Sequence, residues 1–84
     1  MDKKEFEKII KEHERILDLF EVRPTPVLRV QIRKFMQNLG AAFAKNNESV
    51  VAAKRGSSTE KELRDQNKVI SRLLAVWEDN LKTL

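Results

Sequence analysis

Between positions 23 and 56 the chain carries Arg23, Arg29, Arg33, Lys34, Lys45, Lys54 and Arg55 against one carboxylate, Glu48. Gln31, Gln37, Asn38, Asn46 and Asn47 are interspersed among them. Lysine and arginine attract phosphate oxygens, and arginine with asparagine or glutamine supplies donors and acceptors suited to base edges. The flanks lack this bias: residues 1–22 hold five cations and seven acids, and residues 57–84 hold five of each. The net charge of +4 therefore originates in the middle third, where the summed field favours an acidic partner. Arg29, Arg33, Lys34, Lys45, Lys54 and Arg55 are accordingly the candidate contacts to nucleic acid or to an acidic protein. The competing reading is that these cations, distributed around a rod, are solvated or answered by the acidic first segment within the fold.

Other chemistry is poorly provided for. His13 is the only histidine, and there is no Cys or Tyr, so no nucleophile and base can be paired by type and spacing. The acids alternate with lysines instead of standing in apolar surroundings that would raise their pKa values. Gly40 and Gly56 are the only glycines, too few for a phosphate-cradling loop. A zinc site wants three or four good ligands, and His13 has no partner of its kind. The expectation is a non-enzymatic protein with no cofactor and no metal. His13 itself falls inside an apolar stripe, where it is expected to be hydrogen-bonded locally, with a pH-sensitive packing role as the alternative.

The elements that position these groups follow from periodicity. Phe6, Ile10, His13, Leu17 and Phe20, with Ile9 and Ile16 beside them, recur at alternating spacings of four and three, one face of an amphipathic helix. Asp2 followed by Glu5 is a plausible cap, so the first helix should run over about residues 3–22. Arg23-Pro24-Thr25-Pro26 stops it, because proline lacks the amide donor and restricts the residue before it. Thr25 as cap and Pro26 at the first helical position predict a second helix over 26–46, extending to 55 if it passes through Asn46-Asn47. Its core stripe is Leu28, Ile32, Phe35, Met36, Leu39 and Phe43. Val30, Gly40, Ala41 and Ala44 lie on its back, either as ordinary helix residues or as a second contact surface. Gly56 followed by Ser57-Ser58-Thr59 then launches a third helix over 59–83. Two tight connections between three helices predict one all-α domain over 1–84, a three-helix bundle or a helical hairpin completed by dimerisation.

The third helix motivates the pairing expectation. Leu63, Ile70, Leu74, Trp77, Leu81 and Leu84 follow a heptad seam whose remaining position is Asn67, a residue type that can fix register and partner number. Val69, Leu73 and Val76 run beside it, and the combined apolar face is about 160° wide. One neighbouring helix cannot cover so broad a face, so Val69, Leu73, Val76 and Trp77 are expected to mediate self-association. Trp77 is either the core anchor or an interface hot spot. The leading functional expectation is a homodimeric assembly or regulatory interaction module, with nucleic-acid binding through the basic segment as the alternative. A helix-turn-helix at Val51–Ser58 fits poorly, since Ser57 and Glu62 stand where apolar residues belong. The longest apolar run, Leu73–Trp77, falls far short of the ~20 residues of a membrane span. With charge from Asp2 onward and no secretory pattern, a soluble cytoplasmic protein is expected.

Overall fold

The side chain of Asp2 accepts a hydrogen bond from the Glu5 amide at 2.8 Å, and α1 runs from Lys3 to Val22. In the computed structural model, which describes residues 1–84, it is followed by α2 (Leu28–Ala52) and α3 (Ser58–Lys82), an all-α three-helix bundle.

The start of α2 differs from expectation. Pro26 and Val27 form a turn, and the amides of Leu28, Arg29 and Val30 bond to the carbonyls of Thr25, Pro26 and Val27, three residues back. The entry is thus a tight 3₁₀-like turn, and Thr25 contributes its carbonyl instead of a side-chain cap. The helix does pass through Asn46-Asn47, but it stops at Ala52, short of Arg55, because Ala53 is extended. Continuity has a physical reason. Both asparagine side chains bond across to α3, so they do not compete for their own backbone as asparagine does in turns. Gly56 takes a φ of +79° in the connection, a conformation that disfavours any side chain. Of the two capping options, Ser57 with Glu60 is the one used: the Ser57 hydroxyl accepts from the Glu60 amide at 3.2 Å.

Cross-links fix the helix registers. Arg29 reaches the Leu84 carbonyl at one end, while Asn46 meets Gln66 and Asn47 meets Asn67 towards the other, so α2 and α3 are antiparallel. Lys45 faces Glu5 across α1 and α2, and these two are antiparallel as well. Met1 with Gln66 and His13 with Trp77 place α1 parallel to α3.

The core consists of Ile16 from α1, Leu28, Ile32, Phe35, Leu39 and Ala42 from α2, and Ile70, Leu73 and Trp77 from α3. Trp77 is its anchor and is fully buried. The rings of His13, Phe20 and Phe35 meet its indole edge-to-face, with centroids 5.7, 5.9 and 6.4 Å away, an arrangement aromatic quadrupoles favour. Met36 and Phe43, expected in the stripe, are only partly buried, and Ala42 and Asn46 take buried places on it instead.

A polar layer sits below this core. Asn46 is fully buried and its amide nitrogen donates to Gln66 Oε1 at 3.0 Å, while Gln66 Nε2 donates to the Met1 carbonyl at 3.2 Å. The Met1 ammonium in turn donates to Asn46 Oδ1. Asn67 Nδ2 donates to Asn47 Oδ1 at 2.9 Å and reaches the Phe43 carbonyl at 3.4 Å. The layer is satisfied except at Asn67 Oδ1, which is buried without a donor.

Candidate functional site

The broad apolar face of α3 is covered from two sides, by α2 and by α1, and this decides where the four expected pairing residues lie. Trp77 and Leu73 are inside the bundle, at 0% and 9% exposure. Neither is therefore available as a surface contact in this fold. Val69 is partly buried against the core, and Val76 alone stands out, at 44% exposure. The width of the stripe came from serving two intramolecular neighbours, so little apolar surface is left over.

The basic residues have the opposite fate, since all six candidates are exposed. Arg29, in the first turn of α2, donates to the Leu84 carbonyl. Lys45 is the one candidate near a carboxylate, its Nζ lying 3.8 Å from Glu5 Oε2. With both side chains about half exposed, such a pair contributes little and yields readily to a competing anion. Arg33, Lys34, Lys54 and Arg55 form no ion pair. Lys54 and Arg55 lie in the connection beyond Ala52, not on the helix.

Arg33 and Lys34 flank the outward side of α2, opposite the buried stripe. Val30, Gln37, Ala41 and Ala44 share this side at helical spacing, all exposed. A side chain added at Gly40 would meet nothing within 4 Å, so no part of the chain packs on this surface.

Lys34 also borders a shallow cleft of about 260 Å³ between α1 and α2, with Glu12, Arg15, Gln31 and Asn38. Arg15 holds Glu12 through both nitrogens of its guanidinium fork, Nε lying 3.1 Å from Oε2. That hydrogen bond holds the Glu12 carboxyl below its usual range, outweighing the desolvation that opposes it, with the Arg15 charge adding the smallest contribution. The same bond raises Arg15. The only acid of the cleft is thereby spent on Arg15, and Lys34 keeps its charge uncompensated.

Two further grooves border α3. One, of about 420 Å³, lies between the start of α1 and α3 and mixes Lys3 and Lys61 with Glu62 and Asp65. The other, of about 350 Å³, lies between α2 and α3 and includes Arg64 and Lys68 with no acid in its lining. Charge counting does not point to this second groove, because Arg64 and Lys68 belong to a segment whose charges sum to zero. A helical-wheel comparison of α2 and α3 in antiparallel register would have been needed to find it.

His13 is placed by the indole: its Nδ1 accepts the Trp77 Nε1–H at 2.9 Å. No three His, Asp or Glu side chains converge to hold a metal ion. No helix is long and apolar enough to cross a membrane. Compared with known proteins, the chain matches no family model, no curated protein sequence and no solved structure.

Proposed function

We propose that this chain is a non-enzymatic helical binding module that engages an acidic polymer, a nucleic acid, through the exposed cations of α2 and the following turn. One observation carries the reading: six exposed cations accompany α2 and its C-terminal turn, and only Lys45 has an acidic neighbour within 4 Å. Charge left unanswered on a rigid rod is available to phosphates without first breaking internal pairs. Small residues between the cations on the outward side allow close approach of a backbone.

The salt dependence of binding is the test. Contacts by Arg33, Lys34, Lys54 and Arg55 predict a slope of log K against log salt of about −3.6 for duplex DNA and about −2.8 for a single strand. Fluorescence anisotropy with labelled mixed-sequence DNA and RNA measures it. Arg33→Glu/Lys34→Glu should abolish binding at about 50 mM salt. Absence of binding by the wild-type chain under those conditions defeats the reading.

Self-association as an assembly module is a second reading, favoured by the 44% exposure of Val76 beside the half-covered Val69. It predicts twice the chain mass of 9.8 kDa in light scattering, and a folded monomer on Val76→Glu. A wild-type monomer at high micromolar concentration removes it.

A further inference from the structure

The α2–α3 groove has a composition that the rest of the surface lacks. Arg64 and Lys68 stand one turn apart on its α3 wall, next to Ser71, and Phe43 and Asn47 form its α2 wall. Arg64 is engaged only by Glu60, at 3.5 Å and with its own side chain 61% exposed, so its charge can be redirected at little cost. Lys68 has no ion pair. Asn67, 8% exposed, also lines the groove, and its buried Oδ1 receives no hydrogen bond. A buried acceptor without a donor is costly, so a donor brought to it would be favourable. Asn47, an exposed residue, gives its oxygen to Asn67.

We infer that this groove takes a nucleotide, with the phosphate held by Arg64 and Lys68 and the base lying against Phe43. Asn47 Nδ2 donates to a base acceptor, and Asn67 rotates its unpartnered Oδ1 out of its buried position to accept from a base amino group. Adjacent donor and acceptor atoms of this kind mark the base edges that an asparagine amide reads. Phosphate capture combined with an aromatic wall is the arrangement by which proteins hold single-stranded nucleic acid. The volume, about 350 Å³, lies at the lower end of the range for small-ligand sites, about 300–1,000 Å³. Lys54 and Arg55, in the turn just past the α2 end of the groove, supply charge along which a strand can continue. The inference builds on the nucleic-acid reading and assigns the place where a base is received.

The test is an amide-detected NMR titration of the full chain with adenosine monophosphate, and separately with a deoxyadenosine decamer, at low salt. Shifts should concentrate on the side-chain amides of Asn47 and Asn67 and on the backbone of Lys68 and Ser71. Arg64→Gln/Lys68→Gln, both at exposed positions, should stay folded by circular dichroism and weaken both ligands by about tenfold or more. Arg33→Gln/Lys34→Gln should weaken the decamer and leave the mononucleotide unchanged. A decamer that binds while neither ligand moves Asn47 or Asn67 overturns the groove assignment and leaves the polymer reading standing. A mononucleotide that moves them while the decamer fails to bind does the reverse. A hexaglutamate peptide that occupies the groove as tightly as the mononucleotide overturns the assignment in favour of an acidic peptide, and silence from every probe overturns both.

Discussion

The bond between His13 and Trp77 makes the stability of the bundle depend on one ring nitrogen. Trp77 is fully buried, and its only polar group donates to His13 Nδ1 at 2.9 Å. Truncation in His13→Ala leaves a buried N–H without an acceptor, at a cost of about 1–3 kcal/mol, and removes an edge-to-face ring contact of about 0.5–1.5 kcal/mol. A net loss of about 2 kcal/mol in a domain of this size lowers Tm by about 8–16 °C. Glutamine at the same position carries an acceptor oxygen and should recover part of that loss. Thermal melts followed by the emission of the single tryptophan compare both variants with wild type. A His13→Ala melt within about 2 °C of wild type, or a His13→Gln melt no higher than that of His13→Ala, refutes the reasoning.

Other substitutions probe the remaining layers. Gly40 is exposed in the middle of α2 with open space around it, so Gly40→Ala should raise stability by about 1 kcal/mol; a lower Tm would mean that something packs there. Asn46→Ala strips the donor from Gln66 Oε1 and the acceptor from the Met1 ammonium, and chemical denaturation should register a loss of about 1–3 kcal/mol. Leu73→Glu and Val76→Glu should part company. The first places a carboxylate at a 9% exposed core position and should unfold the chain, while the second, at 44% exposure, should cost under about 0.5 kcal/mol, as measured by the same denaturation. Disrupting the Glu12–Arg15 pair with Arg15→Gln should return the Glu12 carboxyl towards its ordinary range, an upward movement visible in a carboxyl-detected NMR pH titration.

The helices were legible because α1 and α3 announce themselves locally. Asp2 and Ser57 are capping residues with their acceptors in the expected places, and the apolar stripes keep helical period throughout. What the sequence left open was which surfaces the stripes would spend themselves on. A face of 160° on α3 fits equally with one intramolecular neighbour and a second copy, or with two intramolecular neighbours; only the placement of α1 selects the latter and draws Leu73 and Trp77 inside. Ala42 was absent from the expected core because a methyl side chain contributes little to a periodicity signal, although it is buried within the core cluster. Asn46 and Asn47 left the end of α2 open because asparagine favours turns, and that preference is overridden here by partners about twenty positions away. For the candidate contacts, the types and exposure of Arg33, Lys34, Lys54 and Arg55 were legible from charge asymmetry, but the groove with Arg64 and Lys68 depends on antiparallel register and was not.

Register is also what connects packing to the proposed binding surface. The indole anchor ties α1 to α3 near one end of the bundle, and the amides of Asn46, Gln66, Asn47 and Asn67 tie α2 to α3 near the other. Sliding α3 by a single turn, about 5.4 Å, would pull Gln66 and Asn67 from their partners and move Trp77 out of the ring cluster at the same time. Each buried polar group orphaned in that way costs about 1–3 kcal/mol, which makes the slipped arrangement uncompetitive in a domain with only several kcal/mol of stability. Arg64 and Lys68 are thereby held opposite Phe43 and Asn47 chiefly by apolar packing and by amides of neutral side chains, with the Met1 ammonium on Asn46 the one charge in the polar layer. A groove whose cations are positioned chiefly by neutral contacts keeps its geometry as salt rises. Salt should then weaken binding by screening the ligand and leave the site intact, so a binding slope measured on Asn46→Ala should match that of wild type wherever the variant remains folded.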